Sequence, residues 1–189
     1  MGTACNAGGC GCSSAVAQNP QAASEAGAGR RRVELEFLYL DLDVCSPCRS
    51  TESNIEEALA QVSGVLESAG AEVTLKKIHV QSFEQTVELG FLTSPTVRVG
   101  GRDLQLDFKE NHCATCSEVS GTQTDCRVWL YRGREYSAPP PAMIVEAVLR
   151  EVFGGPREDG AKDARPGSVS ENLARFFESK RRKEGAGAS

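Results

Sequence analysis

The first apolar rhythm of the chain is an alternation. Val33, Leu35, Phe37 and Tyr39 interleave with Glu34, Glu36, Leu38 and Leu40, and the second set turns apolar towards its end. That pattern predicts a strand that becomes buried on both faces. It runs through Asp41-Leu42-Asp43-Val44 into Cys45-Ser46-Pro47-Cys48. The period then changes. Ile55, Leu59, Val62, Leu66 and Ala69 recur at spacings of three and four, which predicts a helix stopped by Gly70. A second strand is expected through Val73, Leu75, Ile78 and Val80. The adjacent Lys76 and Lys77 break its alternation, as a bulge or an edge position would. Ser82-Phe83-Glu84-Gln85 has the form of a capping box and opens a short helix reaching to about Gly90.

Thr93-Ser94-Pro95-Thr96 leads into a strand from Val97 to Val99, and Gly100-Gly101 turns the chain so that Leu104 and Leu106 can pair back. Residues 109–126 are polar and read as an insertion. Arg127 to Tyr131 is a further strand with a turn near Gly133. Pro139, Pro140 and Pro141 precede a helix carrying Ile144, Val145, Val148, Leu149 and Val152, with Gly154 at its end. The organisation that follows is a Cys/Gly-rich disordered tail over 1–29, a domain over 30–154, a charged linker over 155–167 and a C-terminal segment over 168–189. In the last segment, Ser168-Val169-Ser170-Glu171 caps a helix with Leu173, Phe176 and Phe177 on one face, and Lys180 to Lys183 form a basic run.

Charge narrows the function classes. The formal net charge is -5 and the pI about 5.2, which disfavours a general nucleic-acid binder. No apolar run suits a bilayer crossing, so no membrane partner is expected. The first residues carry no basic leader or apolar stretch, and the expected compartment is the cytoplasm. Eight cysteines are present. In a reducing compartment, clustered thiols are more often catalytic or metal-binding than structural staples.

The chemistry of Cys45-x-x-Cys48 follows from its position between a strand and a helix. A thiol at a helix start faces unpaired N–H groups and the positive end of the helix dipole. Thiolate is favoured there, so the pKa is expected below the free value of roughly 8.5. Cys45 is expected to be the exposed nucleophile and Cys48, one turn inward, the resolving thiol.

The element order, the Cys45-Ser46-Pro47-Cys48 motif and Ser94-Pro95-Thr96 before the third strand together resemble the thioredoxin superfamily over roughly residues 32–154. The resemblance implies an α/β thioredoxin-like fold, a central mixed four-stranded sheet flanked by helices, here with a cysteine-rich insertion and flexible tails. It also implies that Pro95 is cis and packs against the CxxC, and that Ser94, Pro95 and Thr96 hold a substrate. Val44 stands where that superfamily usually has an aromatic residue, and the 109–126 insertion lies outside the standard fold. The chain therefore looks most similar to an uncharacterised cysteine-rich bacterial branch without an assigned activity.

The insertion holds Cys113, Cys116 and Cys126 beside His112. Structural zinc wants four N/S ligands, and C-x-x-C is a common half-site. These four residues are the candidate metal ligands, although adjacent His112 and Cys113 are awkward on one ion and the fourth ligand can lie elsewhere. The alternatives are a disulfide relay with the CxxC and a loop closed by one disulfide. Cys5, Cys10 and Cys12 on a flexible tail suit soft ions such as Cu(I), Hg(II) or As(III). Two functions emerge. One is thiol–disulfide exchange on a protein or small-molecule disulfide, needing no cofactor. The other is binding or relay of zinc or another thiophilic ion on the same scaffold.

Overall fold

The computed structural model describes residues 31–154 and 170–186. The expectations for the 1–29 tail, Cys5, Cys10 and Cys12 among them, and for the 155–167 linker fall outside these residues.

Strand β1 (Arg31–Tyr39) is the hub of a four-stranded sheet ordered β2-β1-β3-β4, with β2 at Ala71–His79, β3 at Thr96–Val99 and β4 at Arg102–Asp103. β1 runs parallel to β2 and antiparallel to β3. The β1–β2 ladder holds one register from Arg31↔Ala71 to Tyr39↔His79. The Lys76–Lys77 pair therefore marks an edge strand without a bulge. Lys77 reaches Glu52 and Glu56 on the helix that precedes β2, and Lys76 reaches Glu34 and Glu36. Charged side chains of this kind protect an open sheet edge.

The alternation of β1 explains the layers. Val33, Leu35 and Phe37 face helix α1 (Ser46–Ser68) and helix α4 (Pro141–Phe153), in a core with Ile55, Val62, Val97, Ile144 and Val148. Leu38 and Leu40 face the other way, into a second core closed by Phe91, Leu173 and Phe176. That side is covered by α2 (Phe83–Glu88) and α5 (Glu171–Ala186). Ser82 caps α2 by accepting from the Gln85 amide, as its sequence suggests. Gly70 and Gly100 turn the chain with positive φ, a region glycine enters without steric cost.

The insertion has its own structure. Residues expected only to be polar form β5 (Lys109–His112) and α3 (Ala114–Ser120), and β6 (Asp125–Tyr131) starts two residues before the predicted strand. With β7 (Arg134–Tyr136) they make a second sheet ordered β5-β6-β7. α5 clasps this unit. The Asn172 side chain bonds the backbone N–H and C=O of Asp125 and the Glu110 carboxylate, and Lys183 Nζ donates to the Glu118 and Val119 carbonyls at the end of α3. Among the described residues, no helix is long and apolar enough to cross a membrane.

Candidate metal centre

Four cysteines from three segments converge under the insertion. Cys45 occupies the N-cap of α1, Cys113 the N-cap of α3, Cys116 the first turn of α3, and Cys126 lies on β6. Their sulfurs all lie within 4.8 Å of one another, and Cys116 Sγ is 3.4 Å from Cys126 Sγ. All four are buried and none is in a disulfide. With a Zn–S bond of about 2.3 Å, a tetrahedral site places its sulfurs about 3.8 Å apart. A buried thiol set of this spacing can hold a metal ion.

Local chemistry makes the site. Asp41 Oδ1 accepts from the Asp43 and Val44 amides, turning the chain after β1 and delivering Cys45 to the helix start in an extended conformation. Its side chain thus leaves the helix axis and meets the insertion. In the insertion, the Cys113 amide donates to the Thr124 carbonyl, and Ser117 Oγ accepts from the Thr124 amide. Ser120 Oγ lies 2.9 Å from Thr124 Oγ1 and donates to the Cys116 carbonyl. These hydroxyls fold α3 back over β6, bringing Cys116 onto Cys126.

The crowded sulfurs shift three of the four thiols. Hydrogen bonds from Cys116, Cys126 and Cys45 push the Cys113 thiol down from its ordinary value. Bonding to Cys113 and then to Cys116 pushes Cys45 up to about 12. Cys126 is raised by the same neighbours, Cys113 first. Cys48 is raised by its bond to Cys45 and by burial.

Several expectations need correction here. Cys45 was expected as an exposed, low-pKa nucleophile; it is 0% exposed and its thiol is raised, because the insertion covers the helix start and surrounds it with other sulfurs. His112 is outside the sulfur group. It is exposed on β5, and Cys113, the next residue, turns inward, since neighbours on an extended chain point to opposite sides. The fourth sulfur of the group is that of Cys45. Cys48 is buried against Cys45 and 3.6 Å from Ser94 Oγ, outside the metal-spaced set.

The Ser94–Pro95 bond is cis. Ser94, Pro95 and Thr96 are all buried, and the Ser94 carbonyl accepts from the Arg127 amide at 2.8 Å. The carbonyl of Ser94, a residue expected to hold a substrate, is thus engaged by the chain's own β6. Arg127 locks that contact. Its guanidinium makes two 2.9 Å bonds to Asp103, donates to the Gln105 carbonyl, and lies over the Phe108 and Trp129 rings. Sequence reading passed over Arg127, whose place in an apolar strand beside a cysteine was the available signal.

A family model described as "Domain of unknown function (DUF2703)" matches residues 33–148. The chain belongs to the DUF2703 family. The match runs from β1 into α4, so it takes in the strand–helix junction, the cis Ser94–Pro95 bond and the insertion. In this DUF2703 protein the sulfur group therefore lies wholly inside the family's domain. No curated protein and no solved structure matches the chain.

A cavity of about 360 Å³ opens beside the sulfur group. Ser46 and Pro47 form one wall, and Cys113, Cys126, Glu135 and Tyr136 line others.

Proposed function

We propose that this DUF2703 protein is a metal-binding protein whose centre is a zinc tetrathiolate formed by Cys45, Cys113, Cys116 and Cys126. The observation that carries the reading is the convergence of four buried, unpaired thiols at metal spacing from segments far apart in the chain. Four sulfurs in a tetrahedral arrangement suit zinc or a single iron, whereas polynuclear clusters spread their thiolates further apart. A dication also offsets more of the four negative charges than Cu(I) does. The start of α1, a 23-residue helix, contributes further positive potential at Cys45.

The sheet order, the CxxC at the start of α1 and the cis proline before β3 support a thioredoxin-like ancestry for the scaffold. They also favour a second reading, thiol–disulfide exchange through Cys45 and Cys48. Burial of Cys45 and the engaged Ser94 carbonyl weigh against it in the reduced, assembled state.

Elemental analysis of protein purified under reducing conditions tests the metal reading, with competitive titration of Zn(II), Hg(II) and As(III). One zinc per chain is expected, lost on Cys126→Ser, with tetrahedral thiolate bands on Co(II) substitution. Metal-free protein with no submicromolar affinity for any of these ions rejects it.

A further inference from the structure

Cys45 belongs to two sulfur groups at once. It is one of the four sulfurs at metal spacing, and it also neighbours Cys48, one helical turn on. Cys48 lies in the same buried sulfur cluster but contributes nothing to the four-sulfur set. It also meets the Ser94 hydroxyl at 3.6 Å, a long contact, and the Asp41 backbone. The i, i+3 relation on α1 keeps the Cys48 side chain on the face from which Cys45 departs. Among the described residues Cys48 is therefore the one thiol of the cluster left uncommitted when the other four hold an ion.

A small oxidant has a way in. The cavity of about 360 Å³ is walled by Ser46 and Pro47, the residues between the two cysteines, and by Cys113 and Cys126 of the set. It is large enough to bring a molecule of peroxide size to Cys113 and Cys126, the two sulfurs of the set that line it.

We infer that Cys48 is a built-in competitor for Cys45, so that hydrogen peroxide converts the metal-bound centre to a Cys45–Cys48 disulfide and releases the ion. The inference rests on the tetrathiolate reading above. The steps balance. The Cys113 sulfur, which lines the cavity, attacks one peroxide oxygen, the O–O bond breaks, hydroxide leaves, and Cys113 becomes a sulfenic acid; the neighbouring Cys45 sulfur attacks it, the S–O bond breaks and a second hydroxide leaves. The Cys48 sulfur then attacks the Cys45 sulfur, the Cys45–Cys113 bond breaks, Cys113 regains its thiolate, and the Cys48 proton joins hydroxide as water. Two sulfurs have each lost one electron and peroxide has gained two. The ion, left with three thiolates, dissociates.

A disulfide to Cys48 removes a single ligand, and a thiol reductant restores the centre. A Cys116–Cys126 disulfide, from sulfurs 3.4 Å apart, would remove two. The two routes differ in which cysteines are found joined.

The test uses full-length, zinc-loaded protein. Zinc stoichiometry is measured first; absence of bound zinc overturns the tetrathiolate reading and this inference with it. Peroxide is then added with a chromogenic zinc chelator, and the joined cysteines are mapped by mass spectrometry. Release with a Cys45–Cys48 disulfide, reversed by a dithiol, is expected. Cys48→Ser should bind zinc as the parent does and release it at least tenfold more slowly. Zinc present but a map dominated by Cys116–Cys126, or parental release from Cys48→Ser, overturns the inference and leaves the metal reading standing. Should Cys48→Ser fold poorly, Cys48→Ala and the parental disulfide map decide.

Discussion

Replacing Cys45 by serine cuts the metal tie between α1 and the insertion while leaving three ligands together. Cys45 and Cys113 stand roughly 70 residues apart, and closing a loop of that length withdraws about 4 kcal/mol of chain entropy from the unfolded state. The other cysteines close shorter loops within the insertion, so this long tie carries most of the cross-linking effect. For a domain of this size each kcal/mol moves Tm by about 2–4 °C, so a fall of roughly 10 °C is expected. Cys48→Ser supplies the control, since it also buries a hydroxyl in place of a thiol but removes no ligand. The assay is calorimetry at a fixed, buffered free zinc concentration, because bound ligand raises apparent stability by mass action. Parental protein and Cys48→Ser should both gain stability from zinc, and Cys45→Ser should gain much less. An equal zinc-dependent gain in Cys45→Ser would refute Cys45 as a ligand.

Two further outcomes follow from the same geometry. Asp103→Asn leaves the Arg127 guanidinium, 1% exposed, with only carbonyl, hydroxyl and ring partners. About 3 kcal/mol of urea stability should be lost, and much of it regained when Arg127→Met is added; a loss under about 1 kcal/mol would show that the pair is not energetically buried. In chelator-treated protein, the neutral form of Cys45 is favoured by the fold, its thiol rising from 9.0 to about 12. That contribution is complete below the unfolded value and disappears as pH rises through this range, with raised Cys48 and Cys126 acting in the same sense. The lowered Cys113 acts in the opposite sense, but only below the ordinary value of 9.0, so the urea midpoint of the metal-free protein should fall as pH rises above that value; a flat or rising midpoint there contradicts the assigned directions.

Much of the scaffold was legible because its elements carry strong local patterns. The alternation from Val33 to Leu40 identifies a strand buried on both faces, and the apolar stripe of α1 is equally clear. Lys76 and Lys77 left a bulge or an edge open, and the unbroken ladder with β1 decides for the edge. The insertion was opaque for a physical reason. β5 reads Lys109-Glu110-Asn111-His112, with no apolar face, and exists because it pairs with β6. The seven-residue α3 is held by Ser117, Ser120 and Thr124 hydroxyls, which leave no periodic trace. Spacing along the chain joined Cys45 to Cys48 and placed His112 beside Cys113. Only the fold could show that Cys45 turns from its near neighbour towards thiols far along the chain.

The hydrogen bond from the Arg127 amide to the Ser94 carbonyl has a consequence for any polypeptide that would pair with that carbonyl. A visitor would have to displace a tethered segment whose effective concentration is on the order of millimolar or higher. Weak, transient guests would thereby be turned away, and the carbonyl would be free for others only when the β6 segment itself lets go.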